Sequence, residues 1–273
     1  MGAHRQERRH QGGLTTMTTI ASLAHIVGTG PVRVLALHGW FGSAQAWGPF
    51  AELLDPARFS VAYFDYRGYG ARIHETGEYS LDEIATDALQ LADELGWQRF
   101  HLMGHSMGGK AIVRTLVAAP ERVGSMLAIT PVPVCAIPFD EPTWQLFSSA
   151  ATDIASRRAI IDFSTGSRLS KRWIAALADH SWAHSTPEAF GAYLQAWAKT
   201  DFVAQAKGME APIHVVVGEN DASITAELMQ ATTMQWFPHA SLEVMRGAGH
   251  YPTDETPVAL ATSAEKAFAS GSA

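Results

Sequence analysis

The stretch HLMGHSMGGKAIV, residues 101–113, limits the possible folds more than any other part of the chain. An apolar run leads into Ser106, with glycines at 104 and 108 on either side, and a run with helical spacing follows. An extended segment that passes directly into a helix around a small polar residue must reverse sharply. The reversal forces Ser106 to an unfavourable backbone angle and pushes its hydroxyl outward. Side chains at 104 and 108 would strike the adjoining strand and helix. The pattern is G-x-S-x-G, in which an exposed serine serves as nucleophile when a strand precedes it and a helix follows. The helix N-terminus also favours negative charge at that point. A tight turn of small packing residues is the alternative, and the flanking strand and helix favour the catalytic reading.

The rest of the chain repeats this alternation. VRVLAL (32–37), FSVAYFD (59–65), RFHLMG (99–104), VGSMLAIT (123–130), a run over 213–217 and SLEVMRG (241–247) read as strands. Between them, AQAWGPFAELL (44–54) has helical spacing, and SLDEIATDALQLADELG (80–96) starts on Ser80 with Glu83 three places on, a capping box, and stops at Gly96. GGKAIVRTLVAA ends at Pro120, and further helices are expected near 224–235 and at the C-terminus. Strand–helix alternation predicts an α/β fold with a mostly parallel sheet covered on both faces. From about 131 to 208 helical segments rich in aromatics replace the strands. The expected organisation is therefore a core over 18–130 and 209–273, with a helical lid over 131–208.

Bulk properties narrow the function classes. With 47% hydrophobic and 17% charged residues, the 273-residue chain reads as globular. A net charge of −7 gives no electrostatic reason to bind nucleic acid. Cys135 is the single cysteine, so no intramolecular disulfide can form. Residues 1–17 are basic and polar and read as a disordered tail, with Met17 a candidate alternative start. No apolar region follows the arginines as in a secretory signal, and no apolar run reaches the ~20 residues of a membrane span. A cytoplasmic location is expected.

A nucleophilic serine needs a base, and the base needs a carboxylate. On a parallel sheet of this kind the order is Ser, then Asp or Glu, then His, each in a loop after a strand. Among twelve histidines, His250 in RGAGHYP stands after the last strand and before the last helix. VVVGENDAS supplies Asp221, deeper in its loop, with Glu219 as the fallback. The oxyanion needs two backbone N–H groups. Met107, after the nucleophile, offers one, and Trp40 in LHGWFGS offers the other, with Phe41 the alternative. His180 and His184 have metal-ligand spacing on a helix but no evident third ligand, so no metal is expected.

Taken together, LALHGWFGSAQAW, FDYRGYGAR, LMGHSMGGKAIV, VVVGENDASI and GAGHYP make the chain resemble the α/β-hydrolase fold superfamily, of the serine esterase, lactonase and C–C hydrolase type. The resemblance runs from about residue 32 to the C-terminus and is broken only by the helical block. It implies a roughly eight-stranded sheet, a helical cap, no cofactor, and Ser106, Asp221 and His250 as the catalytic set. Relatives that are haloalkane dehalogenases or epoxide hydrolases carry Asp at the elbow, so Ser106 points to acyl chemistry on a small-molecule ester or related acyl substrate. One departure is Arg72, where many relatives have a small serine, and a different rim to the site is expected there. Expected pocket residues are His38, Phe41, His105, Trp144, Phe147, Trp182 and Tyr251. The alternatives left open are a lactonase, a C–C bond hydrolase of aromatic catabolism, a cofactor-free perhydrolase, and a ligand receptor with little turnover. The sequence gives no oligomeric state.

Overall fold

A computed structural model describes residues 19–269 of the chain. The expected tail over 1–17 and Met17 lie outside the described residues. The strands are β1 His25–Val27, β2 Val32–Leu37, β3 Phe59–Phe64, β4 Phe100–His105, β5 Val123–Ile129, β6 Ile213–Gly218 and β7 Ala240–Met245. The helices are α1 Ile20–Leu23, α2 Leu81–Glu94, α3 Met107–Ala118, α4 Glu141–Ser149, α5 Ile154–Ser164, α6 Lys171–Ala183, α7 Pro187–Lys199, α8 Val203–Ala206, α9 Ala226–Ala231, α10 Thr233–Trp236, α11 Pro252–Glu255 and α12 Pro257–Ala269.

The sheet is seven-stranded among the described residues, in the order β1-β3-β2-β4-β5-β6-β7. Every neighbouring pair is parallel except β1 with β3. Successive side chains on a strand point to opposite faces, and in the central strands both faces are buried. Leu35, Leu37, Leu102, Met126 and Val215 enter the core on one face. Val34, Ala36, Met103, Leu127 and Val216 enter the core on the other, with Phe268 of α12. From β2 the order runs outward to β3 in one direction and to β4 in the other. The loops after β2 and β4 therefore meet at the carboxyl ends of two adjacent strands, the usual crevice for a ligand in an open α/β sheet.

Three elements differ from the sequence expectation, the first being the helix near 224–235, which is divided at Thr232 into α9 and α10. The expected helix over 44–54 is a 3-10 turn, Gly48–Glu52, because Gly48 takes φ +56° and Pro49 follows it. Trp47, Phe50 and Leu54 are buried all the same. Strand β1 leaves no trace in the sequence pattern because three residues are too short to show a period, and it is fixed by antiparallel pairing of His25 with Tyr63. The helical insertion of α4–α8 stands between β5 and β6. It is stitched to the loop after β3 by Gly70 N–H donating to His184 O and Thr186 N–H to Gly68 O, both at 2.9 Å. Arg72 in that loop is buried and pairs with Asp87 of α2 at 2.8 Å. It braces the loop from beneath, away from the rim.

Candidate active site

Ser106 stands between β4 and α3 with φ 54° and ψ −115°, a strained setting for a residue with a side chain. Such a conformation costs of order 1–3 kcal/mol and persists only where its surroundings enforce it. Here they do. A Cβ on Gly104 would sit 2.3 Å from Gly108 O, and one on Gly108 would sit 2.0 Å from Leu37 O. The turn is thus wedged between its own helix and the end of β2.

Ser106 Oγ lies 3.0 Å from His250 Nε2, and His250 Nδ1 lies 2.6 Å from Asp221 Oδ2. The carboxylate is acceptor-only, so Nδ1 carries the proton and Nε2 is left to accept from the serine hydroxyl. Asp221 Oδ1 also accepts Ser223 N–H at 2.8 Å and Ile224 N–H at 2.9 Å, which fixes the carboxylate plane. Glu219 is exposed and accepts Gly247 N–H at 3.0 Å, turned away from His250. The main chain of His250 is held as well: its carbonyl accepts His105 Nε2–H at 2.7 Å and Thr130 Oγ1–H at 3.1 Å. Burial, helped by the neighbouring His250, pushes the His105 pKa down to about 3, so this ring is neutral. Sequence reasoning missed Thr130; its signal is its place directly after β5, beside the loops that carry Ser106 and His250.

The loop after β2 reaches the same point. A Cβ on Gly39 would lie 3.3 Å from Ser106 Cβ and 2.8 Å from His105 Nδ1, so only glycine fits there. All three carbonyls of this turn are engaged. Tyr66 Oη donates to His38 O at 2.9 Å, Tyr69 Oη to Trp40 O at 3.0 Å, and Gly42 N–H to Gly39 O at 2.9 Å. Met107 begins α3, where a helix leaves its first N–H groups without an intrahelical acceptor. The Trp40 ring is buried under the helical insertion, donating from Nε1 to Phe190 O of α7 at 2.8 Å and stacking on Phe190 at 4.1 Å.

Over Ser106 and His250 lies a cavity of ≈ 190 Å³. Its wall includes Trp40, Phe41, Val132, Ile137, Phe139, Phe147, Trp197, Ile224 and Tyr251. No Asp, Glu, Lys or Arg lines it among the described residues. Four of the expected pocket residues lie elsewhere. His38 is buried behind the loop, stacked on Tyr66 at 3.9 Å with Nδ1–H donating to Gly39 O. His105 serves the His250 carbonyl. Trp144 is half-buried near Phe139, with the Lys199 ammonium 4.3 Å over its ring, and does not line the cavity. Trp182 is 40% exposed and lies beside the Arg157 guanidinium. Two of these residues follow or precede motif glycines, and two are helix aromatics; neither signal distinguishes a cavity wall from a support. Val132, Ile137 and Phe139 were missed although they follow β5 directly, the position from which parallel-sheet sites are built. His180 and His184 stack on each other at 4.0 Å, and His180 Nε2 meets Ser43 Oγ at 2.9 Å. No cluster of metal-ligating side chains is present among the described residues, and no described helix is long and apolar enough to cross a membrane.

The sequence profile of the alpha/beta hydrolase fold family matches residues 32–257. Pimeloyl-[acyl-carrier protein] methyl ester esterase of Nitrosomonas europaea is 27% identical over 237 residues, covering 82% of this chain and 90% of that protein. 3-Oxoadipate enol-lactonase 2 of Acinetobacter baylyi is 26% identical over 208 residues, covering 74% of this chain and 76% of that protein. Several other curated relatives are matched over less than half of their own length, between 36% and 45%. Among solved structures, a bromoperoxidase from Bacillus anthracis superposes with a TM-score of 0.78 at 22% identity, covering 90% of this chain and 94% of that one, a likeness of fold. The strand order, the elbow and the profile agree: the chain belongs to the α/β-hydrolase family of enzymes.

Proposed function

We propose that the protein is a serine hydrolase that cleaves a carboxylic ester of a small, largely apolar substrate through an acyl-enzyme. The observation that carries this reading is the unbroken chain of contacts from Ser106 Oγ to His250 at 3.0 Å and on to Asp221 at 2.6 Å. Ser106 attacks the ester carbonyl as His250 Nε2 takes its proton, and Asp221 stabilises the imidazolium. The N–H groups of Trp40 and Met107 receive the oxyanion. His250 then gives the proton to the leaving alcohol, and a water deprotonated by His250 releases the acid. The helical insertion of α4–α8 serves as the lid that supplies much of the acyl pocket. The reaction as read calls on no cofactor.

The apolar cavity favours an uncharged ester or lactone over substrates that carry a carboxylate, because no cation lines it to replace the lost hydration. A lactonase is therefore the second reading, since ring opening uses the same steps. The test is labelling with a fluorophosphonate followed by mass spectrometry of the modified peptide, alongside Ser106→Ala. Label on Ser106, and loss of ester hydrolysis in a variant with native circular dichroism, are expected. Full activity in Ser106→Ala would overturn the assignment.

A further inference from the structure

Lys110 lies on α3, one turn beyond Ser106, and its side chain is fully buried. Its ammonium donates three hydrogen bonds, all to main-chain carbonyls: Cys135 O at 2.8 Å, Trp197 O at 2.8 Å and Thr200 O at 2.7 Å. A buried cation is costly, and neutral acceptors offset that cost only when every donor is used. The acceptors stand on the segment through which the helical insertion leaves the core and at the end of α7, ahead of α8, where the chain turns back toward α3. Cys135 follows β5, and Trp197 and Thr200 close α7. The two segments are also joined to each other, by Ile137 N–H to Ala198 O at 2.8 Å and Phe202 N–H to Val134 O at 3.1 Å. The same segments carry cavity wall: Val132, Ile137 and Phe139 on the outgoing one and Trp197 on the returning one. Lys110 itself does not line the cavity.

We propose that Lys110 is a positioning residue that sets the width of the acyl cavity, by holding both neck segments of the insertion against the helix that begins at Ser106. It thereby determines the acyl size the site accepts. This rests on Ser106 being the nucleophile. The chemistry of the grip is specific to a cation. An ammonium has three N–H donors for three carbonyls, whereas a neutral amine has two and turns its lone pair on the third oxygen, which must then move away. Burial pushes the Lys110 pKa down to about 8, against the opposing pull of the Cys135 thiol and the Asp201 carboxylate. The nearest other cation on α3, Arg114, is engaged by Asp82 and Gln205. Raising the pH through this range should loosen the neck with no change in sequence.

The test measures the rate of Ser106 phosphonylation by two fluorophosphonates, one with a methyl group and one with a bulky aromatic group on phosphorus. Any pH effect on the nucleophile common to both probes cancels in the ratio of their rates. In the wild type, raising the pH from about 7 to about 9.5 should increase the bulky-to-methyl ratio by about 10-fold with a midpoint near pH 8. Lys110→Met should show the raised ratio already at neutral pH, independent of pH, with the methyl rate within about 3-fold of wild type. A wild-type ratio that does not move with pH, or a variant in which both rates fall in parallel, would overturn the inference while leaving the nucleophile intact. If Lys110→Met does not fold, the wild-type pH series decides alone. Failure of either probe to label Ser106 would remove the underlying reading, and the inference with it.

Discussion

Asp221 is held by three donors: the His250 Nδ1–H and the N–H groups of Ser223 and Ile224. Those last two bonds matter because they leave one oxygen free for His250 and keep it in the ring plane. Asp221→Asn keeps the shape but can place an N–H where an acceptor is needed, which stabilises the wrong imidazole tautomer. The expected result is a loss of roughly 10⁴-fold in kcat with little change in the urea midpoint. Glu219→Gln, in the same loop but directed at Gly247 N–H, should stay within about 2-fold of wild type. Steady-state kinetics on a p-nitrophenyl ester separates the two carboxylates, and equal losses would mean that the acid is misassigned.

At the scale of elements, the strand–turn–helix at Ser106 depends on backbone contacts that admit no Cβ. Gly108→Ala would drive a methyl group into Leu37 O at 2.0 Å, a main-chain atom that cannot swing away. That change should cost on the order of 3 kcal/mol. The same substitution at Gly191, inside α7, meets only Ala151 Cβ at 3.6 Å and removes a poor helix former. It should stabilise by about 0.5–1 kcal/mol. Urea denaturation of the two variants tests the opposite signs, and a destabilised Gly191→Ala would show that α7 needs the freedom of glycine at that point. This contrast also explains what was legible in the sequence. Gly104 and Gly108 flank a serine between a strand and a helix, so their role follows from local order alone. The 3-10 turn at Gly48 and the short β1 depend on a positive φ and on pairing with β3, neither of which leaves a periodic trace.

Across the whole molecule, the same distinction separates the candidate catalytic residues from the pocket. Ser106, Asp221 and His250 each follow a strand, and the parallel sheet brings strand ends together whatever the rest of the chain does. The cavity wall is made by packing the insertion over that edge, so Phe147 and Trp197 line the cavity while Trp144, on the same helix as Phe147, packs near Phe139 beneath the Lys199 ammonium. The core also buries histidines without charging them, and this contributes to how stability changes in acid. Burial, with Arg99 nearby, pushes the His101 pKa down to about 4, and burial pushes that of His105 to about 3. In the unfolded chain both titrate near 6.5. Between pH 6.5 and about 4 the unfolded state therefore binds protons that the folded state refuses, and stability falls as pH drops. Each histidine contributes a slope of about 1.4 kcal/mol per pH unit in that window and nothing above it. Asp254, raised by burial, acts in the opposite direction at the acid end. His101 is far from the catalytic loops in its contacts, bonded to Ser125 Oγ at 2.8 Å and packed near Phe268, so it can be changed alone. His101→Phe removes its proton site and should flatten the decline by about 1.4 kcal/mol per pH unit, measured by urea unfolding from pH 7 to 4.5. The Asp254 contribution is common to both proteins and cancels, so an unchanged slope in the variant would mean that His101 is not neutral in the folded chain.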